Sequence, residues 1–166
     1  MGSSISGNYH GTKGSSQPFS RLYSVMPNMK EYDILREFVQ NGAYPKNPTA
    51  KDIREMIRGN YVGNKNTNGL FTYAIDKKGN IIVGKRNGNG VGEGKKPTPH
   101  PTLIGGKNPK VQCAGILEIR GGKIYSFDNQ SGHYKPNAKS LNKVTEIFSK
   151  LPKSVFHKKY IGGKSI

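Results

Sequence analysis

The chain reads as an α+β domain: an antiparallel sheet with helices packed to one side, two N-terminal helices and one C-terminal helix. Three observations predict this. Apolar residues recur at helical spacing in two early segments, alternate with period two between residues 70 and 128, and return to helical spacing before Pro152.

The first helix is expected from Met29 to Gln40, with Ile34, Leu35, Phe38 and Val39 as its apolar face and Asn41-Gly42 as its stop. A second is expected from Thr49 to Arg58, because Thr49 and Asp52 resemble a capping box and Ile53, Met56 and Ile57 form a stripe. Leu70–Ile75 then reads as a strand, Asp76–Asn80 as a turn and Ile81–Val83 as the hairpin partner. Residues 84–99 are rich in glycine and lysine and predict a mobile basic loop. Val111–Arg120 and Lys123–Asp128 form a second predicted hairpin about Gly121-Gly122. Asn137 can cap a last helix, Ala138 to Leu151, whose face is Leu141, Val144, Ile147, Phe148 and Leu151. Residues 1–27 are polar and read as a flexible leader, 28–151 as the single domain, and 152–166 as a basic tail carrying Phe156, His157 and Tyr160.

Lysine and arginine number 27 against 10 acidic residues, a net charge of +17. Solubility alone would be served by mixed charge, so the excess points to a polyanionic partner, nucleic acid before an acidic protein. No run of about 20 apolar residues is present, and no membrane partner is expected. Cys113 is the one cysteine, which excludes an internal disulfide and the Cys-x-x-Cys pair of a nucleobase deaminase. Its apolar surroundings mark it as a buried hydrophobe rather than a nucleophile.

Two stretches carry the chemistry. Asp128 to Pro136 holds Ser131, His133, Tyr134 and Lys135 on a turn between a strand and a helix. His100, fixed between Pro99 and Pro101, precedes Thr102 and a Gly105-Gly106 turn. Histidine alone exchanges its proton near neutral pH without a shifted pKa. On a basic chain, a pair of histidines predicts phosphodiester chemistry: a base takes the 2′-hydroxyl proton, an acid protonates the leaving 5′-oxygen and a cation steadies the phosphorane. His100 and His133 are expected to be that pair in either order, Lys135 the cation, and Ser131 or Tyr134 a phosphate donor. Thr102, Lys95, Lys96, Arg120 and Lys123 are expected to bind substrate. The mechanism requires neither metal nor cofactor.

Gly7-Asn8-Tyr9-His10-Gly11-Thr12 looks like a junction, and the module from His100 to Pro136 has Ala114-Gly115 at its centre and Ser131-Gly132-His133-Tyr134-Lys135-Pro136 at its end. Together these resemble the C-terminal toxin domains of bacterial polymorphic toxins, of the Rhs/YD-repeat and contact-dependent inhibition types, over residues 70–151. The resemblance implies a role in interbacterial competition. The domain would be secreted as the end of a larger toxin, would act in the cytoplasm of a target cell, and would travel with a cognate immunity protein, here expected to be acidic. The class includes nucleases and ADP-ribosyltransferases, so the activity stays open. The favoured expectation is a metal-independent RNase acting on RNA, tRNA included. An ADP-ribosyltransferase using NAD would instead employ His100, Thr102, Tyr134 and Glu118. A non-enzymatic nucleic-acid-binding module would rely on the basic tail and its aromatics.

Overall fold

A computed structural model describes residues 16–86 and 98–166. The domain is α+β, built on one six-stranded sheet with four short helices. The strands are β1 (Lys51–Asp52), β2 (Gly69–Ile75), β3 (Ile81–Gly84), β4 (Cys113–Arg120), β5 (Lys123–Asp128) and β6 (Gly162–Lys164). Their order is β1-β3-β2-β4-β5-β6, antiparallel throughout except for the parallel pair β5–β6. The expected antiparallel sheet is therefore a mixed one, because the chain returns to β5 after the last helix.

Both predicted hairpins form. In the first, Asp76 Oδ1 accepts the amides of Lys78 and Asn80, each at 2.9 Å, and Gly79 takes φ +88°. In the second, Gly121 and Gly122 take φ +56° and +78°, and a register shift falls between Glu118 and Ile119.

The helices are α1 (Pro27–Leu35), α2 (Ile53–Arg58), α3 (Pro101–Ile104) and α4 (Ser140–Phe148). The stripe of α4 is buried as predicted, with Phe148 stacked on Phe127 of β5 at 4.6 Å between ring centres. Ile53 and Met56 of α2 join the same core, with Tyr73, Ile75, Cys113 and Leu117. The alternate positions Ala74 and Ala114 point the other way and meet Leu103 of α3, Tyr23 and Tyr134. The helices therefore divide between the two faces rather than sharing one side.

Two further expectations are corrected. In α1 the apolar positions face outward, with Ile34 49% and Leu35 75% exposed, while its buried residue is Asp33. A polar network described below turns the helix, and Glu37 at φ +62° ends it early. α2 starts at Ile53 because Asn47 Oδ1 captures both the amide and the hydroxyl of Thr49, so Asp52 caps the helix instead.

Neither flank behaves as a loose end where it is described. Tyr23 is buried and bridges Val111, and the amides of Gln17 and Met26 bond to the turn after β5, so residues 16–26 are anchored to the domain although many of their side chains stay exposed. After Leu151, the chain buries Val155 and supplies β6, so the basic tail is part of the sheet. The rest of the leader, including Gly7–Thr12, lies outside the described residues.

Candidate active site: a buried histidine–aspartate pair

The turn after β5 is held at every corner. Asp128 Oδ1 accepts the amides of Ile116 at 2.7 Å and Gln130 at 2.9 Å, and its carbonyl accepts the Tyr73 hydroxyl at 2.6 Å. Asn129 Nδ2 donates to the Pro136 carbonyl at 2.9 Å, closing the loop. The Lys135 amide donates to Ser131 O at 2.7 Å, and Lys135 takes φ +45° rather than the extended conformation usual before proline. From outside, Met26 N donates to the His133 carbonyl at 2.7 Å. These bonds fix where the His133 side chain emerges.

Its ring meets α1. His133 Nε2–H donates to Asp33 Oδ2 at 2.9 Å; the same oxygen accepts the Tyr44 hydroxyl at 2.7 Å, and Arg36 binds Oδ1 at 3.0 Å. Burial would raise the Asp33 carboxyl, but His133, Tyr44 and Arg36 outweigh it and hold it below the usual carboxylate range. Burial, and then the charge of Asp33, push Tyr44 well above its ordinary value, so it remains a donor. With Nε2 committed to Asp33, Nδ1 of His133 is buried and has no hydrogen-bond partner among the described residues. A carboxylate thus orients and electrostatically supports an imidazole whose second nitrogen is uncommitted, the arrangement of a general base.

His100 sits at the start of α3, fully buried, and donates from Nε2 to the Gly115 carbonyl at 2.7 Å. Burial drives its pKa down to about 3; the Gly115 bond opposes this, and the neighbouring charges of His133 and Arg86 add to it. The two sequence-predicted histidines are therefore brought together, but His100 is neutral near pH 7. Gly115 must be glycine here, because a Cβ would lie 1.9 Å from the Asp128 carbonyl oxygen.

The other expected site residues distribute unevenly. Tyr134 is buried with its hydroxyl bound to the Pro109 carbonyl, and burial pushes its pKa up. Ser131 Oγ accepts the Tyr134 amide at 3.3 Å, and Thr102 Oγ1 donates to Pro99 O at 2.6 Å. All three are spent on holding the two loops, not on presenting hydroxyls. Lys135 is half-buried, two residues beyond His133.

Arg120 and Lys123 lie at the β4–β5 turn. Arg120 stands five residues beyond Gly115, about 17 Å along an extended strand. Arg120 pairs with Glu118 at 2.6 Å and covers the Tyr125 ring; Lys123 donates to Ser154 O at 2.6 Å. Arg120, and Lys123 paired opposite it, are thus remote from the Gly115 carbonyl that receives His100. Lys95 and Lys96, and most of the predicted basic loop, lie outside the described residues, although its ends meet where Thr98 N donates to Arg86 O at 2.8 Å. Burial raises the Cys113 thiol to about 11, as suits a packed hydrophobe.

Sequence reasoning missed Asp33, Tyr44, Arg36 and Arg86. Asp33 lies 100 residues from His133, on a helix whose apolar pattern promised the opposite orientation. Arg86 opens the basic loop, and its basic character was the one available signal. Comparison with protein-family models, curated proteins and solved structures returns no match for this chain.

Proposed function

We propose that the domain is a toxin-type RNase that uses His133 as its proton-transfer group. The observation that carries the reading is the uncommitted Nδ1 of His133, oriented by an ionised Asp33 beside a second histidine. Nδ1 takes the proton of a 2′-hydroxyl, the oxygen attacks the adjacent phosphorus, and the P–O5′ bond breaks. The imidazolium, supported by Asp33, returns the proton to the departing oxygen. The products are a 2′,3′-cyclic phosphate and a 5′-hydroxyl.

Within this reading His100 is no longer interchangeable with His133. Its Nε2–H is spent on Gly115 and its low pKa leaves no second proton to deliver, so it serves as a hydrogen-bond acceptor. Lys135 and Arg86 supply positive charge for the phosphorane. Because the His133 side chain is 4% exposed, RNA reaches Nδ1 only through a local opening that leaves the His133–Asp33 bond intact. The net charge of +17 favours both a polyanionic substrate and an acidic immunity protein. In this reading the domain itself is delivered as the C-terminal part of a larger secreted toxin.

Purified protein incubated with total RNA, with and without EDTA and NAD, tests the reading. Cleavage in EDTA without NAD, leaving cyclic phosphate ends, is expected. Intact RNA together with an NAD-dependent mass increase on a macromolecular target would overturn it.

A further inference from the structure

A cavity of about 720 Å³ lies on a different part of the surface from the histidines, bounded by three separately anchored elements. Residues Phe19, Arg21 and Leu22 form one wall. That segment is pinned by the Tyr23–Val111 bridge and by Ser20, whose hydroxyl donates to Leu22 O at 2.7 Å. Lys77 stands on the β2–β3 turn, which Gln112 clamps by donating to the carbonyls of Asp76 at 3.0 Å and Lys77 at 3.4 Å. Lys143 projects from α4. Among the described lining residues there is no acid. Glu146 lies 3.9 Å from Lys143, but both are more than half exposed and neutralise each other weakly.

Apolar side chains complete the wall. Phe19 is 49% exposed and Leu22 37%, and the Lys139 ammonium sits 5.0 Å from the Phe19 ring centre. Exposed aromatic and aliphatic surface among cations, without acids, matches what a single strand of nucleic acid needs. Bases gain by stacking, and the backbone gains by charge neutralisation. A duplex hides its base faces and has no use for the ring.

The same segment reaches the catalytic turn. Gln17 donates from its amide to Lys135 O at 2.7 Å and from its side chain to Tyr134 O at 2.6 Å, and Met26 N holds the His133 carbonyl. Met26 lies four positions beyond Leu22, about 13 Å along an extended chain. From this placement, and resting on the RNase reading for the identity of the polymer, we infer that the Phe19–Arg21–Lys77–Lys143 cavity is a single-stranded RNA subsite that holds the strand flanking the bond to be cut.

The test uses a fluorescent 12-nucleotide 2′-O-methyl oligouridine, which lacks the attacking hydroxyl, so binding is read without cleavage. Arg21→Ala/Lys77→Ala/Lys143→Ala should lower the slope of log affinity against log salt by about 2, at roughly 0.7 per neutralised phosphate. Phe19→Ala should weaken binding about 5- to 100-fold, the equivalent of one lost stacking contact. The triple variant should lose more cleavage on a 12-nucleotide RNA than on a diribonucleotide, which is too short to span the cavity. Unchanged oligouridine affinity and salt slope would overturn the subsite, as would equal competition by a 12-base-pair duplex. If the wild type cleaves no RNA yet the variants lose oligouridine binding, the subsite stands and the RNase reading falls.

Discussion

His133 and Asp33 share a 2.9 Å hydrogen bond in a pocket where their side chains are 4% and 0% exposed. The bond ties the turn after β5 to α1, alongside the backbone bond from Met26 N to the His133 carbonyl. It also decides which way α1 faces, since Asp33 takes the inward position that Ile34 and Leu35 would otherwise fill.

Asp33→Asn tests the electrostatic half of this contact. The amide is close in shape but carries no charge to support an imidazolium. Cleavage should fall by about 10²–10⁴-fold, the range of a positioned acid–base group. Tyr44→Phe, which removes one donor and leaves the carboxylate, should cost about 1–3 kcal/mol of stability and far less activity. Equal activity loss in both variants would show that packing, not charge, is what the pair contributes.

His133→Ala should abolish cleavage, and it should also destabilise the fold. A turn histidine with no packing role would be removed cheaply, but this one leaves Asp33 buried with a partner missing, at about 3–5 kcal/mol. The double variant Asp33→Ala/His133→Ala should therefore lose much less than the two single losses combined. Chemical denaturation of the four proteins measures the coupling; strict additivity would mean that the residues do not interact.

The four central strands were legible because period-two patterning and glycine turns are local signals: Leu70–Val83 and Val111–Asp128 contain their own turn chemistry, whereas β1 and β6 pair only through contacts made elsewhere in the chain. The face of α4 was legible for the same reason. What escaped was non-local. Nothing around Asp33 reveals a histidine a hundred residues away, and Asn47 overrides the capping signal of Thr49 through a contact made just before the helix. At the site, composition and turn context picked out His100 and His133. It could not separate their roles, because the Gly115 carbonyl and the Asp33 carboxylate that distinguish them come from elsewhere in the chain. Arg120 and Lys123 were chosen on charge alone, and charge carries no information about position along the strand, which sets their distance from the histidines.

Acid stability should carry the signature of His100. In the unfolded chain the ring takes up a proton near pH 6.5, whereas the folded ring resists protonation down to about 3. Between those values the unfolded state holds the extra proton, so stability falls as pH drops from 6.5 toward 3 and does not depend on this ring above 6.5. The full window corresponds to roughly 5 kcal/mol at 1.36 kcal/mol per pH unit. Asp33 acts lower: its depressed pKa contributes stability above 3.8 that is lost as pH falls through the folded value. His100→Gln, whose amide can still donate to Gly115, should flatten the stability curve between pH 6.5 and 4. An unaltered curve would place the acid sensitivity elsewhere.

Gly115→Ala should disable the site without touching a reacting group. The added methyl would meet the Asp128 carbonyl oxygen at 1.9 Å and its carboxylate at 2.8 Å, both held by hydrogen bonds that anchor the turn carrying His133. Backbone cannot swing aside as a side-chain tip would, so β4 and β5 must separate. The shift moves the carbonyl that receives His100 and the Asp128 cap that orients His133 at once. Overpacking of this kind costs about 1–3 kcal/mol or more, and the activity loss should exceed what the lost stability explains at a temperature where the variant is folded. Gly121→Ala is the control. It lies at the opposite end of the hairpin with nothing within 4 Å of its Cβ, and its φ of +56° imposes about 1 kcal/mol of strain. Denaturation and cleavage measured on both variants separate the cases: full activity in folded Gly115→Ala would break the link between this close approach and the two histidines.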